Sequence, residues 1–263
     1  MCTLILIHQM IPDLPVVLAS NRDEWLVRPS SPPSFLDERL GIVGGRDQQA
    51  QGTWLGVCQS GFFAGVTNQR QSAPADPALK SRGALVMEVL KAGAEGGVDQ
   101  ARAVLSQTNF NAYNPFHIAF GTPEEMWVTK ADQPGQTQQV PPGIHVLTND
   151  GLNAETFPKV RTIQESLSPL PPEWPELRAR LMELLSDDTA PLDVPEEPHF
   201  KFPREVRAAL HAIRVNLPQY GTCSSSLIGI GPGGLKTYEF ADGPPGEVPF
   251  VPQSALITTG MNP

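Results

Sequence analysis

Residues 1–24 read MCTLILIHQMIPDLPVVLASNRDE, two apolar runs separated by a turn and closed by a polar tetrad. Thr3 to Ile7 and Leu14 to Leu18 are short and rich in Leu, Ile and Val, the composition of strands, and Pro12-Asp13 between them is a turn signal. The pattern predicts a hairpin. Asn21-Arg22-Asp23-Glu24 follow almost directly on the second run, at the end of a strand able to lie beside Cys2.

Working outward, Arg28-Pro29-Ser30-Ser31-Pro32-Pro33 reads as an exposed loop, and Ile42 to Asp47 as a short strand and turn. Thr53 to Val57 and Phe62 to Asn68, split by Ser60-Gly61, predict a second hairpin. Helical periodicity begins near Ala78, with a further stripe over Val98 to Leu105. Strands are expected again at Phe116 to Phe120, Met126 to Thr129 and Gly143 to Leu147, with a polar loop over Gln133 to Gln139. Helices are expected at about Phe157 to Leu167, Pro175 to Leu185 and Pro203 to His211, interrupted by an acidic, Pro-rich loop at about 187–198. Ser225 to Ile230 and Leu235 to Phe240, across a Gly-Pro-Gly-Gly turn, form a third hairpin. Strands at both ends around helical blocks fit an α+β layered sandwich better than alternating βαβ units. Residues 1–263 read as a single domain without repeats.

Composition narrows the function. The chain has 19 Lys+Arg against 28 Asp+Glu, a formal net charge of -9, which argues against nucleic-acid partners and against adhesion to anionic membranes. No apolar run approaches the roughly 20 residues of a membrane span, and no signal peptide is evident at the front. Cys2, Cys58 and Cys223 are odd in number and lack metal-ligand spacing, so neither a disulfide framework nor a zinc site is indicated. The expectation is a cytoplasmic, reduced protein without integral membrane association and without a metal site. His8, His117, His145, His199 and His211 show no ligand spacing, and His117 and His145 read as core histidines. Trp25, Trp54, Phe62 and Phe63 are as suited to the core as to a cleft.

Met1-Cys2 carries the chemistry. Initiator methionine is usually removed before a small residue. Cys2 would then hold a thiol of pKa about 8.5 beside a free α-amine of pKa about 7.7–8.0. Such an amine can take the proton of its own nucleophile. A carboxylate and a guanidinium from the Asn21–Glu24 tetrad can hold and tune that pair.

Five motifs in order, Met1-Cys2, Asn21-Arg22-Asp23-Glu24, Gly52-Thr53-Trp54-Leu55-Gly56, Gly65-Val66-Thr67-Asn68 and Tyr220-Gly221-Thr222, make the chain similar to the NRDE family from Met1 to about Phe240. This is the transport and Golgi organisation 2 family. That family in turn resembles cysteine N-terminal-nucleophile hydrolases such as conjugated bile acid hydrolases and penicillin V acylases. The resemblance implies a four-layer αββα sandwich. It implies Cys2 as nucleophile, Asp23 as the carboxylate that organises the amine, and Arg22 or Asn21 as the basic or polar neighbour. It also implies Asn68 and Asn149 as oxyanion-holding amides. One departure stands out: Cys223 follows Tyr220-Gly221-Thr222, where the family commonly has arginine.

Two functions follow from the resemblance. One is a hydrolase that cleaves a linear amide or thioester of a small-molecule acyl substrate through an acyl-enzyme on Cys2, with no cofactor required. The other is a binding and trafficking protein for haem, held non-covalently, or for acyl-coenzyme A or lipid. A third, an interaction module with a degenerate site, would show a covered, non-concave surface near Cys2.

Overall fold

The computed structural model describes residues 2–71, 74–130, 136–194 and 202–257. The expected hairpin opens the chain: β1 (Cys2–His8) and β2 (Val16–Trp25) pair antiparallel, with Cys2 opposite Arg22 and Leu4 opposite Ser20. β2 outruns its apolar stretch and takes in all of Asn21–Glu24. It has a hydrogen-bonded neighbour on each side, so backbone pairing and not side-chain polarity sets its length.

β3 (Ser30–Asp37), β4 (Ile42–Asp47), β5 (Leu55–Cys58) and β6 (Phe63–Asn68) follow, then α1 (Arg82–Gln107). The loop expected at residues 28–33 is thus partly strand. β3 lies at a sheet edge with one neighbour, and its register slips between Ser31 and Ser34. Pro32 and Pro33, which lack N–H groups, are therefore tolerated. α1 joins the two periodic stretches across a kink at Gly96 and Gly97.

β7 (Phe116–Gly121), β8 (Met126–Lys130), β9 (Thr137–Val140), β10 (Gly143–Thr148) and β11 (Gly151–Leu152) come next. The Gln133–Gln139 loop lies partly outside the described residues, and its end is the edge strand β9. α2 (Pro158–Ser166), α3 (Trp174–Ser186) and α4 (Arg204–Leu210) fall on the three expected segments. Of the acidic loop, residues 187–194 carry no helix or strand, and the remainder lies outside the described residues. β12 (Tyr220–Gly231), β13 (Gly234–Ala241) and β14 (Val251–Pro252) complete the strands.

The strands form two seven-stranded antiparallel sheets, ordered β11-β10-β1-β2-β12-β13-β14 and β3-β4-β5-β6-β7-β8-β9. Alternation along each strand builds three apolar layers. Leu4, Leu6, Val16 and Leu18 point between the sheets and meet Val43, Leu55, Val57 and Phe63. Ile5, Ile7, Val17 and Ala19 point the other way, onto Val160 and Ile163 of α2 and Leu177 and Leu181 of α3. Ala64, Ile118 and Phe120 back onto Leu85, Val86, Val89 and Leu90 of α1. Each Val, Leu, Ile and Phe among these contributes about 1.5–3 kcal/mol by leaving water. The architecture is an α+β sandwich of αββα type, as expected. Among the described residues, no helix is long and apolar enough to cross a membrane.

Candidate active site

The inward-facing row of β1 runs Leu6, Leu4, Cys2, and that of β2 runs Leu18, Ser20, Arg22. The apolar packing between the sheets therefore gives way, at one end, to a thiol and a guanidinium. Cys2 is half-buried and lines a polar cleft of about 380 Å³ with Arg22, Asp23, Trp54, Asn68 and Arg82. Burial pushes the Cys2 thiol up. The Asp23 carboxylate acts in the same direction, and the Asp23 backbone N–H works against it. Cys58 differs in kind: fully buried against α1, its thiol is pushed up to about 12 by burial, which leaves an inert apolar filler.

Asp23 is held from β12. Thr222 Oγ1 donates to Asp23 Oδ1 at 2.6 Å, and the Tyr220 hydroxyl donates to the Asp23 carbonyl at 2.8 Å. β12 carries a bulge here, with Thr222 opposite Asp23 and Ser224 opposite Arg22, so Cys223 is the extra residue. The bulge folds its sulfur back toward the carbonyls of Gly221 (3.4 Å) and Glu24 (3.6 Å). Cys223 is not among the residues lining the polar cleft.

A buried lysine that nothing in the local sequence marks completes this corner. Lys159, on the first turn of α2, is 2% exposed and donates to Thr3 Oγ1 at 3.2 Å. Lysine is almost never so buried without a charge partner. Burial pushes its ammonium down while Asp23 and Cys2 pull it back up; burial raises Asp23, and Lys159 counters it. Thiol, carboxylate and ammonium thus act on one another electrostatically.

Asn21 is placed elsewhere. It faces the helix layer, where its amide donates to the carbonyls of Leu185 and Ile213, both at 2.9 Å, and its oxygen accepts from Ser225 Oγ at 2.6 Å. It ties β2 to its surroundings and does not line the cleft. Of the two candidates for the basic or polar neighbour, Arg22 is the one in the cleft. It is 4% exposed, lies 4.6 Å over the Trp54 ring and donates to Ser30 Oγ at 3.5 Å. The Trp54 ring occupies space that only glycine leaves open, since a Cβ on Gly45 would sit 2.4 Å from it.

Asn68 and Asn149 come together from different sheets. The Asn149 side-chain amide donates to the Asn68 carbonyl, Thr67 Oγ1 donates to the Thr148 carbonyl at 3.1 Å, and Arg70 N donates to the Asn149 carbonyl at 3.0 Å. Asn149 is 2% exposed, and its Oδ1 is buried without a partner among the described residues. Both asparagines line a second cavity of about 580 Å³, walled by Trp25, Phe202, Val206, Leu210 and His211. Asn68 and Arg82 border both hollows, so the apolar cavity and the polar cleft meet at those residues.

Arg82, like Lys159, escapes a motif-based reading. It stands on the first turn of α1, which begins hard against the backbone before β5: Thr53 N donates to the Gly83 carbonyl at 3.3 Å, and a Cβ on Gly52 would lie 2.3 Å from Gly83 C. Two glycines, at 52 and 83, set the distance at which Arg82 meets the cleft. His145 is a satisfied interior histidine, bonded to the Pro141 carbonyl and to Asn153 at 2.9 Å each. Phe62 and Phe63 are core, whereas Trp25 and Trp54 line the hollows. Among the described residues, no group of three or more His, Cys, Asp or Glu side chains could hold a metal ion.

Fold and site together define a four-layer αββα protein with a cysteine at the second position facing the mouth between its sheets. The chain belongs to the family described as Transport and Golgi organisation 2, whose model matches residues 1–239. It is similar to the human "Transport and Golgi organization protein 2 homolog", 25% identical over 236 residues covering 85% of this chain and 84% of that protein. The Bos taurus homolog is 27% identical over 237 residues, with the same coverage. Among solved structures it is similar to conjugated bile acid hydrolase from Clostridium perfringens, with a TM-score of 0.49 at 11% identity over 99% of this chain and 95% of that one. It is also similar to the Caenorhabditis elegans N-acylethanolamine-hydrolyzing acid amidase ortholog, with a TM-score of 0.45 at 11% identity over 88% and 93%.

Proposed function

We propose that the protein is a cysteine hydrolase of the N-terminal-nucleophile type, cleaving an amide bond that joins an apolar acyl group to a polar leaving portion. The observation that carries this reading is that Cys2 and Asp23 line the polar cleft, which joins at Asn68 the apolar cavity lined by Asn149, with Lys159 buried close enough to act on Asp23 and Cys2. The acyl chain occupies the cavity and the leaving portion the cleft, so the carbonyl falls at the seam.

With Met1 removed, the Cys2 α-amine accepts the thiol proton as sulfur attacks the carbonyl carbon. The new C–S bond leaves an oxyanion, which amide N–H groups of Asn68 and Asn149 stabilise. Collapse breaks the C–N bond, and the ammonium returns its proton to the departing nitrogen. Water then adds to the thioester, giving a proton to the same amine, and the acid leaves as the thiol reforms. Asp23 holds the amine, and the Lys159 ammonium favours the charged form of Asp23 against the effect of burial. The orphaned Asn149 Oδ1 suits the N–H of an amide, which a thioester lacks. Three unpaired cysteines suit a reducing, cytoplasmic setting.

The haem reading finds less support in these residues. His211, in the wall of the apolar cavity, is 1% exposed and stacked 4.4 Å from the Phe157 ring, and the Tyr220 hydroxyl is committed to Asp23. Neither is presented as an axial ligand. The concave surface at Cys2 likewise speaks against a degenerate interaction module.

Incubation with an electrophilic acyl probe, followed by intact-mass measurement, tests the hydrolase. A single acyl adduct on protein lacking Met1, absent in Cys2→Ala, is expected. Undiminished turnover by Cys2→Ala overturns it.

A further inference from the structure

The polar cleft holds more cationic chemistry than the reaction needs. Its acids are accounted for: Asp47 takes Arg28 at 2.5 Å, Glu24 lies 3.9 Å from Arg28, and Asp23 takes Thr222. Asp76 and Lys80 are exposed at the rim. Arg22 and Arg82 remain without an ion pair among the described residues. Arg22 is 4% exposed and uses one donor on Ser30, at 3.5 Å; Arg82 is half-buried and uses one on the Pro115 carbonyl, at 3.3 Å.

Buried charges are normally paired, because desolvation goes uncompensated otherwise. In a chain of net charge -9, two guanidiniums that reach one concavity without an ion pair of their own among the described residues are a site prepared for an anion brought from outside. Stacking on Trp54 fixes the plane of Arg22, and the backbone contact at Gly83 fixes the root of Arg82, so their donor forks are pre-organised. The N-terminal end of α1, opening on the same cleft through Ser81 and Gly83, adds positive potential.

We propose that Arg22 and Arg82 bind an anionic group on the leaving portion of the substrate, so that the protein selects acyl amides whose amine product carries a carboxylate. This rests on the acyl-transfer reading for the direction in which substrate lies, and its test is chosen to be independent of turnover. Full-length Cys2→Ala protein is titrated calorimetrically with N-dodecanoylglycine and with N-dodecanoylethanolamine, which share an acyl chain and differ in charge. The glycine conjugate is expected to bind about tenfold tighter or better, the worth of one charged hydrogen-bonding contact. Arg82→Gln is expected to erase that advantage without changing affinity for the neutral ligand, and Arg82→Lys to restore part of it. Arg22→Gln provides a second reading, and thermal unfolding checks that each variant folds. Equal affinity for the two ligands, no binding of either, or an advantage that survives Arg82→Gln overturns the proposal. Absence of turnover in the wild type would defeat hydrolysis alone, because these titrations contain no nucleophile.

Discussion

Asn149 donates its side-chain amide to the backbone carbonyl of Asn68, joining the end of β10 in one sheet to the end of β6 in the other. The bond crosses the mouth of the sandwich, where the inter-sheet apolar layer has ended. It fixes the Asn149 amide against the backbone of Asn68, with Thr67–Thr148 and Arg70–Asn149 contacts bracing it on either side.

Asn149→Ala removes that donor together with the orphaned oxygen. Turnover is expected to fall by about 10²–10³, while the unfolding free energy from urea denaturation changes by about 1 kcal/mol or less, since the lost bond and the relieved buried acceptor offset one another. Parallel kinetics and denaturation check this. A large stability loss with unchanged turnover would make Asn149 a sheet clamp only.

Lys159→Met removes the cation that offsets the Asp23 carboxylate and the Cys2 thiolate. The Cys2 thiol should then titrate at higher pH, and iodoacetamide alkylation at pH 7 should slow several-fold, with the whole pH–rate curve displaced to the alkaline side. Lys159→Arg should recover part of the rate. Rates followed by mass spectrometry between pH 6 and 10 decide it, with unfolding monitored because the site is buried.

His211 sets an acid limit on stability. Burial, then the charges of Arg70, Lys159 and Arg207, press its imidazole from 6.5 down to about 3. Below about pH 6.5 the unfolded chain takes up a proton that the native state refuses, so stability falls as pH drops through this window and is fully present above it. Urea unfolding at pH 7.5 and pH 5 should show the loss, and His211→Gln should reduce the difference.

Gly52→Ala puts a methyl 2.3 Å from the Gly83 carbonyl carbon, where both atoms belong to backbone and neither can swing aside. A loss of about 1–3 kcal/mol is expected from overpacking. The displaced first turn of α1 should also weaken Arg82-dependent ligand binding. Calorimetry on the folded variant separates the two effects.

Much of the architecture could be read from local pattern. β4, β7 and β10 and the three helices after residue 157 fall where periodicity and turn residues put them, because those segments state their period and their boundaries within a few residues. β3 could not be read this way: its prolines signal a loop until its position at a sheet edge, bonded on one side only, is known. The length of β2 was hidden for a related reason, since polar residues continue a strand when neighbours on both sides supply hydrogen bonds.

The candidate site divides along the same line. Residue type and order pick out Cys2 and a carboxylate of the Asn21–Glu24 tetrad, which are chemically legible one at a time, whereas Asp23 in particular, Asn68 and Asn149 are marked by the resemblance to the family. Asn21 and Arg22 are equal candidates in sequence, and strand alternation separates them, sending one to the helix layer and the other into the cleft. Lys159 and Arg82 carry no local signal at all, being ordinary first-turn helix residues until packing buries them beside Asp23 and Gly52. The sequence by itself determined which elements form and which side chains can do chemistry, since propensity and reactivity are properties of short segments. Which of those side chains share one cavity, and which charges are left there without partners, was decided only when two sheets and their helices closed around a common mouth, because burial and pairing are relations between distant parts of the chain.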